Sequence, residues 1–242
     1  MLTVRNVHKS FDERSILRGI DLDIAPGQVT CVIGPSGTGK TTLLRALALL
    51  DYPDKGTVAI EGREFSFPLK KGEVIQAPWP YVTVVFQSLF LWPHLTLREN
   101  ILLPARNHNS NAEKDLQDLI ALFEMDHFIN SYPNQASVGQ RQRVALARAL
   151  ILNPRYILLD EITSALDVEQ TARILSKLAH LKERSIGIFL ITHHIAFARH
   201  AADQVIFMCD GKVEARGDAA LLTRPDNERL KKFLTQADFE EV

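Results

Sequence analysis

Eight consecutive residues, Gly34-Pro35-Ser36-Gly37-Thr38-Gly39-Lys40-Thr41, fit the pattern G-x-x-x-x-G-K-[ST], whose chemistry is the capture of a polyphosphate. Glycines at 34, 37 and 39 let the backbone curl so that successive N–H groups turn inward toward an anion. A following helix would add the partial positive charge of its N-terminus. Lys40 would reach the outer phosphates, and the Thr41 hydroxyl would hold Mg2+. The flanks suit this mechanism: Val29-Thr30-Cys31-Val32-Ile33 reads as a buried strand, and Thr42 to Leu50 as a helix closed by Asp51-Tyr52-Pro53. With average residue usage a chain of this length meets the pattern by chance about once in a hundred. The strand–loop–helix setting lowers that further, so the implied ligand is a nucleoside triphosphate.

Tyr156-Ile157-Leu158-Leu159-Asp160-Glu161 carries the complementary chemistry. An apolar strand ending in two adjacent carboxylates is unusual, because ionised Asp and Glu resist burial without a partner. In an open α/β sheet, ligands bind beyond the carboxyl ends of the strands, where these acids fall. Adjacent strand positions point oppositely, which gives the two acids separate tasks. Asp160 suits the Mg2+ shell through water, and Glu161 suits a general base on the attacking water. Taken alone the pair could equally cap the next helix near Thr163-Ser164; beside a phosphate loop that alternative loses its weight.

Three weaker signals follow. Ser137 with Gln140 forms an S-x-x-Q capping box, so a helix should start there with free N–H groups, a second anion site or simply a capped helix. Gln87 closes the apolar run Tyr81 to Phe86. His193 follows the strand Ile188 to Thr192, again at a carboxyl end; with His194 it is a pair that no Cys or carboxylate cluster extends to a metal site.

The elements that must position these residues read as an α/β chain. Leu2 to Val7 and Ile20 to Ile24 alternate like half-buried antiparallel strands, and Gly56 to Ile60 is a further strand. Glu61 to Pro80, with Pro68, Pro78 and Pro80, reads as irregular. Thr96 to about Leu150 is helical with polar interruptions, and strands are expected at 156–160, 186–191 and 204–208. Helices between these make βαβ units and a mostly parallel sheet. At 242 residues the chain can bury a large core, and 28 Lys and Arg against 29 Asp and Glu leave a net charge of −1, which excludes a global field for nucleic acid. Cys31 and Cys209 both lie in apolar runs and read as small core residues, not a disulfide framework. Met1 to Lys9 has no apolar signal core, and no stretch approaches the roughly 20 apolar residues of a membrane span.

Together, the phosphate loop, Gln87, Ser137 to Gln140, Asp160-Glu161, Ser164-Ala165-Leu166-Asp167 and His193 stand in an order that resembles the nucleotide-binding subunits of ABC transporters, over essentially the whole chain. The most specific parts are Val85-Phe86-Gln87 with Trp92 to Thr96, and Gln140 to Leu150. The resemblance implies a P-loop NTPase core with a mostly parallel sheet, an N-terminal antiparallel β subdomain and an inserted helical subdomain. One ABC ATPase domain would span 1–242. Residues 1–28 and 56–87 would give the antiparallel part plus some core, 96–150 the helical signature subdomain, and 151–242 the remaining core with the His switch.

It also implies roles. Phe11 would stack on adenine, and residues Gly34 to Thr42, Thr42 included, would hold the phosphates. Glu161, His193 and Lys40 would be catalytic, His193 on the γ-phosphate. Thr41, Gln87 and Asp160 would attend Mg2+. Ser137, Gly139 and Gln140 would reach ATP in trans across a head-to-tail dimer, and Asp167 would bridge the subunits. Partners would be a second copy or a paralogue, a membrane permease and a substrate-binding protein, with no nucleic acid, at the cytoplasmic face of the cell membrane. The chain most resembles the short ATPases of polar amino-acid importers. The alternatives are the ATPase of an exporter or a lipid- or lipoprotein-extracting complex, and, less favoured, a soluble ABC ATPase.

The chain departs from the family's usual L-S-G-G-Q at Ala136 and Val138. Ile162 stands in place of the usual proline, and His194 in place of Asp. Valine at 138 requires a negative φ, as the first turn of a capped helix provides, so the contacts of Ser137 and Gly139 are expected to survive.

Overall fold

A computed structural model of the chain describes residues 1–162 and 168–240. Two sheets and a helical layer stack around the phosphate loop. The small sheet is antiparallel, in the order β2-β1-β4-β5, from β1 (Leu2–Phe11), β2 (Arg14–Ile24), β4 (Lys55–Ile60) and β5 (Arg63–Phe67). The large sheet runs β10-β9-β3-β8-β7-β6, from β3 (Val29–Ile33), β6 (Val82–Val85), β7 (Tyr156–Asp160), β8 (Gly187–Ile191), β9 (Gln204–Cys209) and β10 (Lys212–Gly217). Its pairs are parallel except for the β9–β10 hairpin at one edge.

Side-chain alternation in the central strands feeds two cores. Val29, Cys31 and Ile33 of β3, with Ile157 and Leu159 of β7, pack against α2 (Leu97–Ala105), α3 (Ala112–Phe123), α4 (Val138–Leu150) and α5 (Val168–Leu181). Val32, Leu158, Phe189, Ile191 and Ile206 face the other way, onto α1 (Lys40–Leu47) and the small sheet. Strands buried on both faces read as continuous apolar runs, which is why they were legible as parallel strands. Helix α1 is wedged between the sheets through Leu43, Leu44 and Leu47, so the loop before it sits at the carboxyl end of β3, the central strand. Cys31 and Cys209 are free thiols, and burial pushes the Cys31 thiol up to about 12.

Several expectations need correction in detail. The stretch Glu61 to Pro80 is not wholly irregular: Arg63–Phe67 adds an edge strand, pairing Val58 with Phe65 and Gly56 with Phe67. Pro68 and the prolines beyond masked it, yet they follow the strand and do not interrupt it. The helix expected from Thr42 begins at Lys40, because Gly39 serves as N-cap in a left-handed conformation at φ 96°. The helical stretch 96–150 resolves into α2, α3 and α4, and β10 escaped sequence reading because its residues are only half-buried. Helices α6 (Ile195–Ala201) and α7 (Glu228–Glu240) complete the chain.

Candidate functional site

The phosphate loop holds its shape through glycine. Gly34, Gly37 and Gly39 have φ of 144°, 76° and 96°. A Cβ on Gly34 would lie 2.1 Å from the Met208 carbonyl oxygen, so the loop lies directly on β9. At Gly39 a Cβ would meet Ile16 Cγ2 at 3.0 Å. Thr38 Oγ1 donates to the Pro35 carbonyl at 2.9 Å, closing the loop on itself. The buried Lys40 ammonium donates to the carbonyls of Gly34 at 2.7 Å and Pro35 at 2.9 Å. Burial lowers the Lys40 pKa, and Glu161 and Asp160 oppose that shift.

The carboxylates stand where the strand places them. Asp160 ends β7 and is buried, and Thr41 Oγ1 donates to its Oδ1 at 3.2 Å. Burial raises its pKa above 3.8, the nearby Glu161 adds to this, and the Thr41 hydrogen bond, Lys40 and Arg45 pull the other way. Glu161 sits one residue past the strand in a left-handed conformation at φ 47°, its N–H bonded to the Ile191 carbonyl at 3.1 Å. That turn separates the two acids: Asp160 faces Thr41, and Glu161 Oε1 lies 2.6 Å from His193 Nε2. A non-glycine residue held in this region stores strain of order 1–3 kcal/mol and is common at functional sites.

A cavity of about 360 Å3 is lined by Phe11, by the loop residues Ser36, Gly37, Gly39, Lys40, Thr41 and Thr42, and by Glu161. Phe11 is half exposed, with the Lys9 ammonium 5.4 Å from its ring centroid. Gly34, Pro35, Ser36 and His193 border a second cavity of about 370 Å3, roofed by Phe233, Gln236 and Ala237 of α7. Sequence reading missed Arg14 and Ile16, which also line the first cavity. Their place follows from the β1–β2 pairing, in which the tight turn Asp12-Glu13 sets Phe11 opposite Arg14 and so puts both on one face.

Ser137, Gly139 and Gln140 border neither cavity. They form the start of α4: Ser137 Oγ accepts from the Gln140 N–H at 3.2 Å, and Gln140 Oε1 accepts from the Ser137 N–H at 2.8 Å. Val138 is the first residue of α4, is absent from the positive-φ residues and is exposed, so the substitution is accommodated as expected. Gln87 lies exposed two residues past β6, outside the lining of the loop cavity. Asp167 lies outside the described residues.

On the opposite edge of the large sheet, a groove of about 310 Å3 lies between the core and the helical layer. Leu50, Trp79, Phe86, Trp92 and Leu152 give it apolar walls. Arg148, also in its wall, donates to the carbonyls of Leu89 and Phe90 and lies 5.2 Å from the Trp92 ring centroid.

Comparison with known proteins agrees with this geometry. Residues 17–164 match the family model described as ABC transporter. The probable amino-acid import ATP-binding protein YxeO of Bacillus subtilis is 38% identical over 98% of this chain and 97% of its own. The L-cystine transport system ATP-binding protein TcyN of Escherichia coli is 38% identical over 96% of each. Among solved structures, the ATP-binding cassette MJ0796, in a dimeric post-hydrolysis state bound to ADP and Pi, superposes with TM-score 0.79 at 33% identity, covering 90% of this chain and 99% of that one.

Proposed function

We propose a function from one premise, that this chain belongs to the ABC transporter family: it is the ATP-hydrolysing subunit that powers a membrane importer of polar amino acids. The observation that carries the hydrolytic reading is the convergence of Lys40, Thr41, Asp160, Glu161 and His193 at the carboxyl ends of β3, β7 and β8. ATP lies along the first cavity with adenine on Phe11 and its phosphates on the loop, Gly34 through Thr42. Glu161 accepts a proton from water as the water oxygen attacks the γ-phosphorus. The bond to the β–γ bridging oxygen breaks, and ADP and phosphate leave. Lys40 and His193 hold the γ-oxygens where charge develops.

The oxygen donors fit Mg2+. Asp160 is a buried carboxylate 3.2 Å from the Thr41 hydroxyl, and burial disfavours its charge until a cation offsets it. No group of three His, Cys, Asp or Glu able to hold a metal exists among the described residues, as suits an ion that binds one or two protein ligands plus phosphates and water. Thr41 and Asp160, the latter through water, would hold it, with Gln87 as the further candidate ligand, and it would neutralise charge on the phosphates. Glu161→Gln tests the assignment. ATP binding should persist while turnover falls roughly 10²–10⁴-fold, and near-normal phosphate release by the purified variant would remove Glu161 from the role.

The importer reading rests on the relatives, which are ATP-binding proteins of amino-acid import and L-cystine transport. No helix among the described residues is long and apolar enough to cross a membrane, so coupling requires a permease, with a substrate-binding protein as the further partner. The apolar groove beside Gln87 is the docking place for a short permease helix at the cytoplasmic face. A second copy would supply Ser137, Gly139 and Gln140 to each ATP, with Asp167 at the shared interface. Uptake of labelled polar amino acids into vesicles holding the co-purified permease, driven by internal ATP, tests the assignment; vesicles that expel and never accumulate them would refute it.

A further inference from the structure

One cation on the wall of the nucleotide cavity has no task in the fold. Arg14 opens β2, stands opposite Phe11 across the turn of the β1–β2 hairpin, and lines the cavity together with Ile16, Gly37, Gly39, Lys40 and Thr41. Further along the strand, Ile16 rests on the phosphate loop: its Cγ2 lies 3.0 Å from where a Cβ on Gly39 would stand. Two residues of strand span roughly 6.6 Å, within the length of an arginine side chain. Arg14 thus stands beside Phe11 and within reach of the space over the loop. The other cation at this end of the hairpin is committed elsewhere. Lys9, 5.4 Å from the Phe11 ring centroid, donates to the Tyr52 carbonyl at 2.7 Å and to Asp54 Oδ1 at 3.2 Å. Lys40, the cation of the loop, is held by the carbonyls of Gly34 and Pro35 and faces Glu161 and Asp160, which offset its charge. Arg14 is exposed and, among the described residues, makes no hydrogen bond, ion pair or ring contact.

An unpaired guanidinium on an open surface is ordinarily just solvated. On the wall of a cavity that takes a triphosphate, it brings five N–H donors in a planar fork matched to phosphate oxygens. We infer that Arg14 binds the α- and β-phosphates of the nucleotide from the β2 side of the cavity. The inference rests on the reading above that places adenine on Phe11 and the phosphates on the loop. With the base on Phe11, the phosphates nearest Arg14 are the first ones after the ribose. The γ-phosphate belongs to Lys40, Glu161 and His193, and the last two follow β7 and β8 of the large sheet. A contact to the α- and β-phosphates is made alike to substrate, to transition state and to ADP. It strengthens binding without lowering the barrier to hydrolysis, which makes Arg14 a binding residue and not a catalytic one.

Two substitutions separate charge from shape: Arg14→Met keeps the apolar stem and removes the charge, and Arg14→Lys keeps a charge and loses the fork. Affinities for ATP and ADP with Mg2+ are measured by calorimetry. The affinity for adenosine, which has no phosphate, is measured by displacement of a fluorescent ADP. Arg14→Met should weaken ATP and ADP by similar factors, roughly five- to fiftyfold for one charge contact partly exposed to water, and leave adenosine unchanged. In steady state, KM for ATP should rise while kcat at saturation holds, the pattern of lost uniform binding. The differences should shrink as ionic strength rises from about 0.05 to about 0.5 M, and Arg14→Lys should recover part of the affinity. Unchanged affinities for ATP and ADP would leave Arg14 an ordinary solvated side chain and overturn the inference. An equal loss for adenosine would assign Arg14 to the base or to the hairpin itself, and a loss confined to ATP would move it to the γ-phosphate; either result overturns the assignment. A parent chain that binds no ATP would instead sink the nucleotide reading, before any variant is compared.

Discussion

At the scale of residues, the site is assembled from groups held in states they would not choose in water. Asp160 is the clearest. Its pKa is raised, by burial first, so between 3.8 and the raised value the folded chain binds a proton that the unfolded chain has released. Stability therefore falls as pH climbs through that window, and above it the full cost of the buried carboxylate is in place. Asp160→Asn keeps an acceptor for the Thr41 hydroxyl and removes the charge. The nucleotide-free variant should be more stable than the parent at pH 7 in urea denaturation, with the gap narrowing as pH is lowered toward 3.8. The same variant should lose the Mg2+ dependence of ATP binding, the trade expected where function needs a destabilised group. An equal or lower stability at pH 7 would show that the Thr41, Lys40 and Arg45 contacts already offset burial. Glu161, in its left-handed turn, follows the same logic with backbone strain in place of desolvation.

At the scale of elements, the loop works because β9 lies against it and glycine lets it approach. Gly34→Ala would drive a Cβ to 2.1 Å from the Met208 carbonyl, a contact that only backbone movement can relieve. Gly37→Ala meets open space, and its cost is the left-handed backbone alone. The first should lose at least about 3 kcal/mol of stability and the second about 1 kcal/mol, with chemical denaturation as the check; comparable losses would mean that the loop can lift off β9. Much of this was legible in the sequence. The parallel strands announced themselves as apolar runs, the carboxylates as charges ending one of them, and Ser137 to Gln140 as a capping box that the structure closes with both bonds. What was hidden depended on pairing across the chain. Strand β5 is read only once Phe65 is seen opposite Val58, and the place of Arg14 in the cavity only once the turn pairs it with Phe11. The roof that α7 lays over His193 has no local signal at all, since Phe233 and Gln236 are ordinary helix residues until the fold brings them there.

At the scale of the whole molecule, the chain has one phosphate loop and one α4 terminus, and among the described residues Ser137, Gly139 and Gln140 line neither of the two cavities that border the loop. The start of α4 is capped by Ser137, and Val138 beside it is exposed. On the trans reading proposed above, a closed site needs the terminus of a second copy, and the triphosphate becomes the link between two positively polarised helix ends. Without nucleotide the chain should run as a monomer or a loose dimer. With ATP, and with hydrolysis blocked by Glu161→Gln, it should convert to a two-fold dimer holding two ATP molecules. Adding Ser137→Arg replaces a small hydroxyl with a long cation, removes the cap that accepts from Gln140 at 3.2 Å, and fills the space the facing phosphate would occupy. That double variant should bind ATP as a monomer with unchanged affinity and fail to dimerise. Light scattering after size exclusion, with and without ATP, distinguishes the cases, and calorimetry checks the monomer's affinity. A double variant that still dimerises on adding ATP would move the γ-phosphate contact away from Ser137 and leave the α4 terminus without its assigned role.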